Sequence, residues 1–155
     1  MKTAQHFLQE ANAAVTRIPS ADAVALHGTD DGVWLDVRDS GDVAKSGTIK
    51  GAYHVPRGFL EFAADPASPH NKDFMKPDGK YYLVCGAGGQ AALAGKTLKD
   101  MGYTDVTNVG GLTDWKAAGG PVQDACHPTP QISRKANLPF GPLAKTTLEN
   151  PCHRA

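Results

Sequence analysis

The sequence predicts an α/β fold, with a central parallel sheet covered by helices on both faces. Three observations lead there. Short runs at Val33–Val37, Tyr53–Val55, Tyr81–Val84 and Asp105–Val109 have the length and the β-branched or aromatic content of strands. Segments of helical periodicity separate several of them, which is the alternation that parallel sheets require. The chain's 155 residues suffice for one sizeable core and leave no room for a second full domain.

From the start, Thr3 to Arg17 spaces Phe7, Leu8, Ala11, Ala14 and Val15 as one helical face, and Pro19 stops it. Ser20 caps a short helix through Leu26. A glycine-bounded turn then leads into the buried strand ending at Val37. Asp39 to Gly51 is a loop or short helix, Tyr53–Val55 a brief strand, and Arg57 to Ala64 helical. Asp65 to Lys80, with three prolines, reads as a surface excursion of the kind that borders sites, and Phe74 within it is a core, rim or pocket-wall residue. After the strand ending at Val84 comes Cys85-Gly86-Ala87-Gly88-Gly89-Gln90, then a helix from about Gln90 to Met101 that Gly102 ends. A strand at Asp105–Val109 and a helix from Leu112 to Ala118, with Trp115 as a core or rim residue, complete the pattern. The domain is therefore expected over 1–121. Residues 122–155 form a tail that either packs along it through Ile132, Leu138, Phe140 and Leu143 or stays flexible.

Composition narrows the function. Lysine plus arginine and aspartate plus glutamate each number 16, so the chain offers no overall attraction for polyanions, and nucleic acid is not an expected partner. No stretch approaches the ~18 apolar residues of a membrane helix, and the amino-terminal segment lacks the apolar core of a secretory signal. A soluble, cytoplasmic protein is expected. The six histidines show no metal-ligand spacing, and neither a metal nor a cofactor is expected.

Three cysteines, Cys85, Cys126 and Cys152, are an odd number for a disulfide framework, so at least one is a free thiol. Cys85 leaves a buried strand and opens a glycine-rich turn into a helix, a place where backbone N–H groups converge on an anion. The dipole of the following helix favours the thiolate there. The same cradle would hold the outer sulfur of a persulfide.

From about Pro19 to Pro121 the chain resembles the rhodanese family. The resemblance is carried by Leu35-Asp36-Val37-Arg38, by Gly47-Thr48-Ile49-Lys50-Gly51-Ala52-Tyr53-His54-Val55-Pro56, by the loop at Cys85, and by Gly102-Tyr103 through Gly110-Gly111-Leu112 to Trp115. It implies a rhodanese-like fold and a sulfurtransferase with Cys85 as nucleophile. It implies a donor such as thiosulfate or a persulfide, and an acceptor such as cyanide, a thiol or a protein. Backbone N–H groups of Gly86, Ala87, Gly88, Gly89 and Gln90 would bind the sulfur, while Asp36 and Arg38 would support the domain.

The loop departs from the family's Cys-x-x-Gly-x-Arg pattern, because Gln90 stands where the arginine would be. Glutamine donates a hydrogen bond but no charged fork, which is expected to weaken thiosulfate binding by about 1–3 kcal/mol. Arg57 is a candidate for a substitute cation, with a solvated surface role as the alternative. The related dual-specificity phosphatases of the cell cycle use a loop one residue longer, reaching Ala91 here, and close it with arginine. Both differences argue against phosphate-ester hydrolysis. A catalytically weak binding or regulatory module is the remaining alternative. Cys126 and Cys152 either relay sulfur, pair in a disulfide, or are plain surface or packing residues.

Overall fold

A computed structural model of the chain describes residues 1–125, so the sulfur-relay reading of Cys126 and Cys152 and the packing of the tail lie outside the described residues. The elements in chain order are α1 (Ala4–Ala14), β1 (Thr16–Arg17), α2 (Ser20–Leu26), β2 (Val33–Asp36), α3 (Ser40–Ser46), β3 (Thr48–Ile49) and β4 (Tyr53–His54). A single 3-10 turn (Arg57–Phe59) then leads to α4 (Leu60–Ala64), β5 (Lys80–Cys85), α5 (Gly89–Asp100), β6 (Asp105–Gly111), α6 (Leu112–Ala117) and β7 (Val122–Gln123). Five strands form one parallel sheet in the order β1-β6-β5-β2-β4, while β3 and β7 pair as a separate antiparallel ribbon.

The alternating faces of β5 explain why the sheet is buried on both sides. Tyr81, Leu83 and Cys85 point into a core with Leu35, Val37, Leu60, Ala91, Ala94 and Leu98, beneath α4 and α5. Tyr82 and Val84 point the opposite way, into a core with Ala23, Trp34, Val109, Leu112 and Trp115, beneath α2 and α6. Trp34 stacks on Tyr82 with ring centroids 4.5 Å apart, so large aromatic rings fill this second layer. The expected α/β class, a parallel sheet with helices on both faces, is the observed one.

Several details differ from expectation. The first helix ends at Ala14, and Thr16 and Arg17 instead add an edge strand beside Thr107 and Asn108. β-branched Val15 and Thr16 are the local reason, since both fit a pleated strand better than a helix. Ser20 is the first residue of α2 rather than its cap, and its hydroxyl donates to Val109 O at 3.4 Å. The fold also continues past Pro121. Val122 and Gln123 pair with Ile49 and Thr48, and Pro121 O accepts from Lys50 N at 3.0 Å and from Trp115 Nε1 at 3.1 Å.

Because the sheet is parallel, all its strands end on one edge. That edge collects Arg17, Asp36, His54, Cys85 and Gly111, and in open α/β sheets ligands bind there, at the carboxyl ends.

Candidate functional site

Cys85 is the last residue of β5, and its side chain is 1% exposed. The chain turns at Gly86 and Ala87, both exposed, and enters α5 through Gly88, which has φ +98°. That left-handed conformation is open to glycine and closed to most side chains. It directs the Gly88 N–H onto Cys85 Sγ at 3.0 Å. Of the loop donors expected on the sulfur, Gly88 is the one bonded to it. Gly89 and Gln90 open the helix, where first-turn N–H groups lack intrahelical acceptors, and no side chain caps them. Gln90 is exposed and Gly89 half-buried, and donors of this kind at a helix start are suited to an anion.

Two features hold the loop down. Buried Asn108 donates through Nδ2 to Gly88 O at 2.9 Å and accepts from Gly110 N through Oδ1 at 2.8 Å, tying the loop to the end of β6. Gly111 passes so close beneath the loop that a Cβ there would overlap the Gly86 carbonyl. The β5–β6 register shifts between Leu83 and Cys85, which brings Cys85 opposite Gly111. Sequence reasoning missed Asn108. A polar residue in the middle of the run Asp105–Gly111, just before two glycines, was the signal available.

Asp36 and Arg38 form a buried, fully bonded group next to this strand. Arg38 N, Nε and Nη2 donate to the Asp36 carboxylate at 3.1, 3.0 and 2.6 Å, and Thr48 Oγ1 donates at 2.7 Å. Arg38 also reaches Ser46 Oγ and Gly47 O, and His54 Nε2 donates to Arg38 O at 2.7 Å. The group fixes the end of β2 to α3 and β3, and β2 in turn pairs with β5 through Asp36 opposite Val84. Its contacts are internal, so its effect on Cys85 passes through the strand.

Arg57 is not at the loop. Its guanidinium donates to Glu61 at 2.9 Å and to Thr97 Oγ1 at 2.8 Å, which pins α4 to the later turns of α5. The excursion 65–80 does not border the site either. Phe74 stacks on Tyr53 with centroids 3.9 Å apart, and both line a cleft with Val33, Lys80 and Tyr81, at the amino ends of β2 and β5. The sulfur lies at the opposite edge.

The parallel α/β architecture agrees with the proteins that this chain is similar to. The model of the rhodanese-like domain matches residues 20–118. The chain belongs to the rhodanese-like family. Its relatives include the thiosulfate sulfurtransferase PspE of Escherichia coli strain K12, 33% identical over 81 residues that cover 52% of this chain and 71% of that protein. Among solved structures, a Rhodopseudomonas palustris protein described as a possible tyrosine phosphatase superposes with a TM-score of 0.76 at 39% identity, over 79% of this chain and 96% of that one. The polysulfide-sulfur transferase homodimer of Wolinella succinogenes superposes with a TM-score of 0.61 at 29% identity, over 77% and 86%. Among the described residues, no helix of this rhodanese-like protein is long and apolar enough to cross a membrane.

Proposed function

We propose that this rhodanese-like protein is a sulfurtransferase that carries a sulfane sulfur as a persulfide on Cys85. The observation that carries the reading is the placement of Cys85 Sγ, 3.0 Å from the Gly88 N–H and beside the uncapped first turn of α5. That environment offers backbone donors to negative charge on sulfur.

In the first step the Cys85 thiolate attacks the outer sulfur of thiosulfate. An S–S bond forms to Cys85, the S–S bond of the donor breaks, and sulfite leaves with the electron pair. In the second step a thiolate or cyanide attacks the outer sulfur of the persulfide, and the Cys85 thiolate is the leaving group. No net oxidant is consumed. An outer sulfur would stand about 2 Å beyond Sγ, and with Gly86 and Ala87 exposed next to Cys85 in the chain, this rim is the side from which an acceptor would reach the cargo of a nearly buried cysteine. Only a slender donor atom reaches that sulfur, which favours thiosulfate, a polysulfide or a persulfide over a bulky ester.

Gln90 supports a second reading, a binding module that keeps the fold with weak chemistry, because the loop lacks its own arginine. The missing arginine and the shorter loop also count against phosphate-ester cleavage. Intact mass after incubation with thiosulfate, and separately with a hydropersulfide, decides between transfer and binding. A gain of one sulfur atom in the parent, absent in Cys85→Ser and removed by cyanide, is the expected result. No gain from either donor would leave the binding module as the reading.

A further inference from the structure

Three arginines lie in the described residues, and two of them are held by carboxylates: Arg38 by Asp36 and Arg57 by Glu61. Arg17 is the third. It ends the edge strand β1 on the same sheet edge as Cys85, its side chain is exposed, and among the described residues it enters no ion pair. Its guanidinium lies across the loop. A Cβ on Gly88 would stand 3.0 Å from Arg17 Cζ and Nη1 and 3.1 Å from Nη2, and one on Gly110 would stand 3.4 Å from Nη2.

Gly88 therefore touches both groups, with its N–H on Cys85 Sγ and its α-carbon side against the Arg17 guanidinium. Through standard backbone dimensions this bounds the distance from Arg17 Cζ to the sulfur at about 8.5 Å. A thiosulfate delivering its outer sulfur to Cys85 would hold its sulfonate oxygens roughly 5 Å from Sγ, two S–S-like bond lengths outward. An arginine on an unencumbered stem spans the remaining gap. Gly88 and Gly110 leave it room, since a side chain at either would crowd the guanidinium.

We propose that Arg17, reaching in from the edge strand, is the cation that receives an anionic sulfur donor at the Cys85 loop, where Gln90 offers none. The inference rests on the sulfurtransferase reading and narrows its donor to a small anion of the thiosulfate type. The planar fork of arginine suits a sulfonate, and an exposed position makes the attraction sensitive to salt.

The test compares two donors on the full chain: thiosulfate, a dianion, and cysteamine persulfide, which carries an ammonium. Arg17→Gln is expected to raise KM for thiosulfate about tenfold, the loss typical of one hydrogen-bonded charge, with a smaller change in kcat. The ratio of kcat/KM for thiosulfate to that for cysteamine persulfide should fall by a similar factor, and the salt dependence of the thiosulfate reaction should flatten. Adding Gln90→Arg to Arg17→Gln should bring the ratio back, because it returns a cation to the loop itself. An unchanged ratio, or equal losses with both donors, overturns the role of Arg17 while leaving persulfide chemistry standing. Failure of the parent to take sulfur from either donor overturns the sulfurtransferase reading and this inference with it.

Discussion

At the scale of single residues, the loop depends on side chains that never reach the sulfur. Asn108 is fully buried, and its amide satisfies Gly88 O and Gly110 N together. Replacing it with leucine keeps the volume, takes the side-chain acceptor from the buried Gly110 N–H, and leaves Gly88 O with the Ala92 N–H as its remaining donor, at about 1–3 kcal/mol. Thermal unfolding of Asn108→Leu should therefore occur several degrees lower, and Cys85 should be alkylated faster by iodoacetamide as Gly88 loosens; a parent-like rate would show that the loop holds without its anchor. Asp30 is a different case, a carboxylate that titrates. Burial works against its ionisation, but bonds from the Tyr82 hydroxyl, the Lys80 ammonium and the Gly32 N–H outweigh that and hold it below its ordinary value. A carboxyl held lower in the folded state stabilises the fold fully above its unfolded-state value, near 3.8, and loses that contribution as pH falls through the lower folded value. Asp30→Asn should thus lower stability at neutral pH and flatten the acid limb of a denaturant-midpoint titration, while a parallel limb in the variant would assign acid sensitivity to other carboxylates.

At the scale of elements, the contact of α5 with the end of α1 decides between two opposed effects. Gly95 is buried mid-helix, where alanine is intrinsically better by about 1 kcal/mol. A Cβ there would stand 2.9 Å from both γ-methyls of Val15, and overpacking of a rigid contact costs about 1–3 kcal/mol. Overpacking should win, so Gly95→Ala destabilises despite its helix propensity. Adding Val15→Ala should recover part of the loss in a double-mutant cycle, and strictly additive effects would mean the contact relaxes freely. The same elements show what could be read from sequence. The strands Val33–Asp36 and Lys80–Cys85 and the helix Gly89–Asp100 were legible within a residue or two, because apolar runs and a glycine-bounded helix are local signals. Cys85 and its loop were legible for the same reason. β1 was not, because two residues carry no period of their own and follow a helical one without a break. Asn108 and Arg17 were illegible as parts of the site, since each comes to the loop by strand pairing across more than 15 residues of sequence. Arg57 was misplaced as a loop cation because nearness to Pro56 in sequence says nothing of Thr97, its partner across the fold.

At the scale of the whole molecule, the boundary of the domain is a question of hydrogen bonds rather than composition. The prolines and lost periodicity after Gly120 suggest an end near Pro121, yet the ribbon of β3 and β7 closes over the aromatic layer beneath α6. Pro121 O satisfies the indole of fully buried Trp115 and the N–H of Lys50, and Gln123 Oε1 accepts from Gly51 N at 2.9 Å. Those acceptors reach Lys50 and Gly51 in the segment between β3 and β4, the strands that carry Thr48 and His54 of the Asp36–Arg38 group. A chain ended at Gly120 loses all of them, leaves the Trp115 N–H without its partner, and removes the strand that covers Ile49. At about 1 kcal/mol for each hydrogen bond and more for the indole, the loss is roughly 3–4 kcal/mol, a large share of the stability of a small domain. Chemical denaturation of chains ended at Gly120 and at Ala125 makes the comparison without involving residues 126–155. The shorter chain should unfold at clearly lower denaturant, and its loss of stability should also lower sulfur uptake by Cys85 at 37 °C. Equal midpoints for the two chains would return the domain boundary to Pro121 and show that the antiparallel ribbon contributes nothing to the fold.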